Sequence, residues 1–254
     1  MKHLAIFIII LFAGNTLLAQ STHFTTSGTI EFEKSINMFA FLKKRITKND
    51  TYMQLIYDSY VKSKPQFKKL KSTLTFTKNK SLFTPIEDEI PSDSYTNNPV
   101  VLQNNTIFTD LLNGTSITRK NVFDDYFLVK DSTRKINWKI TDETRDILGY
   151  TCRRANALIM DSVYVVAFYT DEIAVSGGPE SFTGLPGMIL GVALPHENIT
   201  WFATKVTDTA IPAATIAPPV KGKAATNAQL KATLSEAMKD YGSDAQLYLK
   251  AFLL

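Results

Sequence analysis

Apolar and polar residues alternate from residue 29 onward. Ile30 and Phe32 are apolar while Thr29, Glu31 and Glu33 are polar, which predicts a strand with one wet face. Residues 37–64 break that alternation: Met38, Phe39, Leu42 and Ile46 recur at helical spacing, and so do Tyr52, Leu55, Ile56 and Tyr60. One or two helical segments are therefore expected between strands. Alternation returns at Leu74 and Phe76, and Pro85, Pro91 and Pro99 among Asn and Ser predict a long surface loop over 84–105. Short strands are predicted at 106–108, 115–123 and 126–130. Ile136, Trp138 and Ile140 interleave with Lys135, Asn137 and Lys139 as an amphipathic strand. Leu148-Gly149-Tyr150 reads as a turn into a strand over 150–160, and Asp161-Ser162 as a tight connection to the next strand, 162–169. Strands at 188–193 and 199–206 complete the β-rich pattern. Thr226-Asn227-Ala228-Gln229 matches a capping box, with Leu230, Leu234, Ala237 and Met238 forming the apolar face of a terminal helix behind it. No repeat or linker divides the chain, so residues 20–254 are expected to form one β-rich domain.

The first 19 residues fall outside that domain. Lys2 is followed by an almost unbroken apolar run from Leu4 to Ala13, then Asn15 and Thr16, with Ala19 just before Gln20. This is the layout of a cleaved export signal. The run is well short of the about 20 apolar residues a membrane-spanning helix needs. The mature protein is thus expected in a periplasm-like space or outside the cell, without a membrane span. No Cys follows the apolar run to carry a lipid anchor.

Composition narrows the chemistry. The chain is 44% hydrophobic and 20% charged, an ordinary globular balance. Its single Cys, Cys152, rules out an intramolecular disulfide framework and a multi-Cys zinc site. Cys152 lies in a strand-like segment and is expected to be buried. The three His, at 3, 23 and 196, leave few options for a metal site or an imidazole base. The net charge of +4 hides an uneven distribution: residues 41–80 hold eleven Lys and Arg against Asp50 and Asp58, whereas 81–100 hold four acids and no base. Such a basic stretch suits an anionic partner or a solvated face, and export argues against nucleic acid.

The densest segment is Ser176-Gly177-Gly178-Pro179, followed by Phe182-Thr183-Gly184-Leu185-Pro186-Gly187-Met188-Ile189. Pro186 pre-sets the second position of a turn and Gly187 supplies positive φ at the third, which predicts a type II turn. Leu185, preceding proline, is pushed towards an extended conformation. Gly184 and Gly187 allow close backbone approach, and an apolar strand begins at Met188.

This stretch resembles the GLPGLI family of exported Bacteroidetes proteins, named for the hexapeptide that stands here as Gly184, Leu185, Pro186, Gly187, Met188 and Ile189. The resemblance extends over roughly 135–205. It takes in Trp138, Gly149-Tyr150-Thr151-Cys152-Arg153-Arg154-Ala155, Tyr169-Thr170-Asp171-Glu172-Ile173 and the group Gly178, Pro179 and Phe182, in the family's order. Met188 replaces the usual Leu, a tolerated exchange, and Ala174 stands where the family has Pro. Residues 37–105 show no counterpart. The resemblance implies a curved antiparallel sheet, half-barrel in form and like that of periplasmic lipoprotein carriers, with a few helices including a C-terminal one. It implies no cofactor and no settled activity.

Two classes of function follow as expectations. One is a non-enzymatic envelope protein that binds an apolar ligand or a partner protein in the concavity of its sheet, consistent with its 16 Phe and 10 Tyr. The other is a hydrolase of unknown substrate. Its base would be His196 or His23, or its carboxylates Asp171 and Glu172, but neighbours on a strand point to opposite faces and do not flank one bond. No phosphate loop, nucleophile elbow or metal-spaced cluster is present.

Overall fold

The structure, a computed structural model, describes residues 25–86, 98–102, 105–123, 125–242 and 244–254. The predicted export signal and His23 lie outside these residues, as does much of the loop predicted over 84–105.

Twelve strands form one sheet: β1 (Gly28–Asn37), β2 (Phe67–Phe76), β3 (Lys80–Pro85), β4 (Thr106–Asp110), β5 (Thr115–Val122), β6 (Asp125–Ser132), β7 (Lys139–Ile147), β8 (Tyr150–Ile159), β9 (Val163–Thr170), β10 (Met188–Leu194), β11 (Ile199–Asp208) and β12 (Lys223–Ala225). Their order across the sheet is β12-β6-β5-β4-β3-β2-β1-β11-β10-β9-β8-β7. Two meanders, β1 to β6 and β7 to β11, are therefore joined through the long antiparallel β1–β11 ladder. Among the named strands every pairing is antiparallel except that of β12 with β6.

This order dictates the shape. Ten strand spacings separate β6 from β7, about 48 Å on a flat sheet. The connection between them, residues 133–138, can reach at most about 25 Å. The sheet must curl until its two ends approach each other. The fold is therefore the expected β-rich α+β arrangement on a curved antiparallel sheet.

The same geometry explains one departure from the sequence pattern. Residues 133–138 form the crossing segment, and a strand begins only at Lys139. The alternation of Ile136 and Trp138 reflects packing against the inner core, where Trp138 Nε1 donates to the Thr183 carbonyl at 2.9 Å. Ile140 sits on edge strand β7 and is exposed.

Among the described residues four helices accompany the sheet: α1 (Met38–Lys44), α2 (Thr51–Ser63), α3 (Asn227–Ala237) and α4 (Asp244–Leu253), with a short 3-10 turn at Ala213–Thr215. Asn37 and Asp50 cap α1 and α2 through their side chains, and the Thr226/Gln229 capping box opens α3. On α2 the helical spacing is real, but Tyr60 is the buried member while Tyr52 and Leu55 face outward. The single terminal helix expected behind Thr226 is two helices, with Gly242 in the left-handed region (φ 55°) between them. The short hairpins also agree in place. Leu148 and Gly149, both at positive φ, join β7 to β8 as a two-residue loop, and Met160 to Ser162 join β8 to β9.

The core lines the inside of the curl. Cross-strand partners share a face, so Phe32 with Ala203, Lys34 with Trp201 and Ile36 with Ile199 all point inward. Val163, Val165 and Ala167 of β9 extend this apolar floor.

Candidate functional site

The GLPGLI-like segment lies across this interior. Gly178 is packed so closely that a Cβ would stand 2.7 Å from the Phe182 carbonyl and 2.9 Å from Ile189 Cβ. The Phe182 N–H donates to the Pro179 carbonyl (3.2 Å), closing a turn with Glu180 at its tip. Further along, the Ile189 N–H donates to the Gly177 carbonyl (2.8 Å) and Gly184 N–H to Ser176 Oγ (3.1 Å). Phe182, Leu185, Met188 and Ile189 are buried, while Gly184 and Pro186 reach the surface. The type II turn predicted at Pro186-Gly187 is not formed. The Gly187 N–H bonds to the Leu185 carbonyl (2.8 Å), a tighter three-residue turn centred on Pro186. Gly187 takes φ 158°, where a Cβ would collide with the Thr170 carbonyl. Docking of β10 onto β9 forces that approach and overrides the turn's local preference.

Glu180 is the residue this segment delivers to the interior. It adopts φ 52° and is only 8% exposed, a conformation that costs a side-chain-bearing residue about 1–2 kcal/mol. Its Oε2 accepts from Asn105 Nδ2 at 3.2 Å. Two buried lysines feel its charge. Lys34, on the inner face of β1, donates to the carbonyls of Val100, Val101 and Leu102 at 3.4, 3.3 and 3.2 Å, and its Nζ lies 5.4 Å above the Trp201 ring. Lys120, on the inner face of β5, is the second. Burial pulls both ammonium groups down to about 8, against the opposing pull of Glu180.

Above Lys34 opens a cavity of about 440 Å³, lined by Glu180, Phe182, Trp201, Tyr248 and Phe252 among others. Phe182 and Trp201 lie 6.1 Å apart on its floor. Phe123 contacts Tyr241, Tyr248 and Phe252 at ring distances of 6.2, 6.5 and 5.3 Å, forming an aromatic rim. Pro99, Val100 and Leu102 form part of one wall, within the predicted surface loop. There Asn98, Val100 and Val101 are buried, and Lys34 bonds the carbonyls of Val100 and Val101.

Neither Glu180 nor the two lysines emerged from motif reading. A signal for the lysines was nonetheless present: Lys34 continues the inward parity of Ile30 and Phe32, and Lys120 shares the parity of Thr118 and Val122. The other sequence candidates lie elsewhere. His196 is exposed on the 195–198 turn, its ring 6.3 Å from Tyr164. Asp171 and Glu172 are exposed, and Glu172 accepts from the Thr151 N–H at 3.1 Å. Cys152 is fully buried, as expected, and burial pushes its thiol up to about 12, with Glu172 and Asp146 adding to the effect, so it is not a thiolate nucleophile at neutral pH. Among the described residues no cluster of three or more His, Cys, Asp or Glu could hold a metal ion. Also among them, no helix is long and apolar enough to cross a membrane.

A profile for the N-terminal domain of PNGase F-II, described as N-glycanase peptide, N-terminal domain, matches residues 90–226, more than half of the chain. The chain belongs to this family. The matched stretch contains Lys120, Glu180, Trp201 and the whole GLPGLI-like segment, whereas Lys34 and helices α3 and α4 lie outside it. Among solved structures, PNGF-II in its P21 crystal form is similar, with 17% identity, a TM-score of 0.48 and coverage of 79% of this chain and 32% of that one. Its C2 form gives 15% identity, a TM-score of 0.48 and coverages of 79% and 31%. An uncharacterized conserved protein from Thermus thermophilus gives 4% identity, a TM-score of 0.40 and coverages of 82% and 93%. The chain thus spans about a third of the length of PNGF-II. No curated protein sequence matches it.

Proposed function

We propose that the chain is an exported protein of GLPGLI type, periplasmic or secreted, that binds without catalysing. Its cargo is an apolar ligand, or an apolar segment of an envelope partner, held in the cavity above Trp201. The observation that carries this reading is the cavity itself: an aromatic floor and rim enclosing about 440 Å³, within the size range of small-ligand sites. Glu180 supplies a polar group among the lining residues, which suits a ligand with an apolar body and a polar head. His196, the base of the hydrolytic alternative, is not among the described residues lining the cavity. The N-glycanase description belongs to a protein about two and a half times as long, and no activity is carried over from it.

The test is native mass spectrometry of the protein purified from its own envelope, with N-terminal sequencing of the mature chain. A chain beginning at Gln20 with a stoichiometric bound mass, lost in Trp201→Ala, is expected. A bare protein that also fails to bind the neutral probe N-phenyl-1-naphthylamine would overturn the binding role. An uncut N-terminus would overturn export by cleavage.

A further inference from the structure

On the other side of α4 lies a second, larger cavity of about 710 Å³, which shares Lys250 and Leu254 with the first. Its lining has a different character. Lys120, Arg134, Lys135 and Lys231 contribute four cations, and Lys250 a fifth that is paired with Glu197 at 3.5 Å. Asp161 is the one acidic side chain among the described residues of the lining, and the Leu254 carboxylate, bonded to Arg134 and Ser181, is the other anionic group there. Ser116, Thr118 and Ser235 add hydroxyl groups that can donate hydrogen bonds.

Lys120 is the decisive residue. It is only 6% exposed, yet its Nζ has no hydrogen-bond or ion-pair partner among the described residues. A buried cation left unpaired is costly, so such a lysine either gives up its proton more readily or takes a counter-charge from a ligand. The same interior shows what satisfaction looks like, because Lys34 is held by three carbonyls and a Trp ring. Arg134 repeats the shortfall more mildly: Nη2 donates to the Leu253 carbonyl at 2.6 Å and to a Leu254 carboxylate oxygen at 3.2 Å, but its buried Nε lacks an acceptor. The N-terminus of α3 also borders the cavity, but Asp131 already accepts the Asn227 N–H at 2.9 Å. The unanswered positive charge is therefore on side chains.

We propose that this second cavity is an oxyanion site that takes a phosphate or sulfate group, free or carried on a sugar-sized ligand. Lys120 is its floor cation, with Lys135 and Lys231 at its margins. Cationic donors and hydroxyls around a polar void match the acceptor-only oxygens of such groups. The volume exceeds that of a bare oxyanion and leaves room for a hydroxylated body.

The experiment is calorimetric titration of the full chain, at constant ionic strength, with inorganic phosphate, glucose 6-phosphate and glucose. Saturable binding of phosphate or glucose 6-phosphate is expected, with none for glucose. Tighter binding of glucose 6-phosphate marks a sugar-borne anion, and equal or weaker binding marks the free one. Lys120→Met should weaken the binding about tenfold or more, and Lys120→Arg should retain it. Should Lys120→Met not fold, Lys231→Met at the margin provides the same reading with a smaller loss. The proposal is overturned if neither anion binds saturably, or if these Met variants bind as tightly as the parent.

Discussion

Lys34 and Lys120 enter one interior from two halves of the same meander. Both stand at inward positions of their strands, both are buried, and both are pulled down to about 8. Lys34 is surrounded by acceptors: three carbonyls of the Val100 to Leu102 wall and the face of Trp201. Among the described residues, Lys120 has only the distant field of Glu180, opposed by that of Arg134. Burial by itself therefore does not tell what a charged group is for. The first lysine ties the cavity wall to the sheet, and the second leaves its charge for a group from outside the chain.

The largest expected effect is on the tied lysine. Lys34→Met strands three carbonyls and leaves Glu180 with one fewer counter-charge, and should destabilise the protein by about 3–5 kcal/mol in chemical denaturation. A gain in stability would erase the contrast between the two sites.

A pH series tests both lysines together. Each has a folded pKa below its unfolded value, so the unfolded chain binds more protons and stability rises with pH through and above about 8. Between pH 7 and pH 9 the gain should be about 1.4 kcal/mol per lysine, roughly 3 kcal/mol in all. Cys152, raised by burial, opposes the rise by about 0.5 kcal/mol within this window because a free thiol ionises at about 8.5–9, and Tyr150, also raised, opposes it at higher pH. In Lys120→Met the rise should halve, as read from the denaturation midpoint at each pH.

A smaller effect is expected from Lys120→Met at neutral pH in the absence of anions. Replacing an unpartnered buried cation by an apolar chain of similar length should stabilise the fold by about 1–3 kcal/mol. A loss of similar size would mean that Lys120 is satisfied within the chain. The least effect belongs to charge on the wet face of the same sheet. Arg154 pairs with Glu143 at 2.7 Å there, and Glu143→Gln should change stability by less than about 0.5 kcal/mol.

Much of the architecture is legible locally. The alternation in β1, the two-residue turn at Leu148-Gly149 and the Thr226 capping box are short-range devices, and the structure carries all three. The crossing segment is not legible in this way, because the periodicity of Ile136 and Trp138 is indistinguishable from that of a strand until the position of β7 at the far edge is known. The Pro186-Gly187 turn departs from its prediction for a related reason: a contact with Thr170, distant in sequence, outweighs the preference of the dipeptide. Of the site, the motif residues Gly178, Pro179 and Phe182 are visible in the sequence, but their relation to Glu180, Lys34 and Trp201 is not.

The sequence by itself determined the β-rich class, the inward parity of β1, the start of α3 and the glycines of the central segment. These depend on neighbours within a few residues, where sterics and hydrogen bonding act directly. Tertiary structure decided the curl of the sheet, the two cavities beside α4 and the partnership of each buried lysine. Lys34 meets its carbonyls across 66 to 68 residues of chain, and Lys120 meets none among the described residues. Local pattern can place a charge on the inside, but only the closed fold determines whether an acceptor is waiting there.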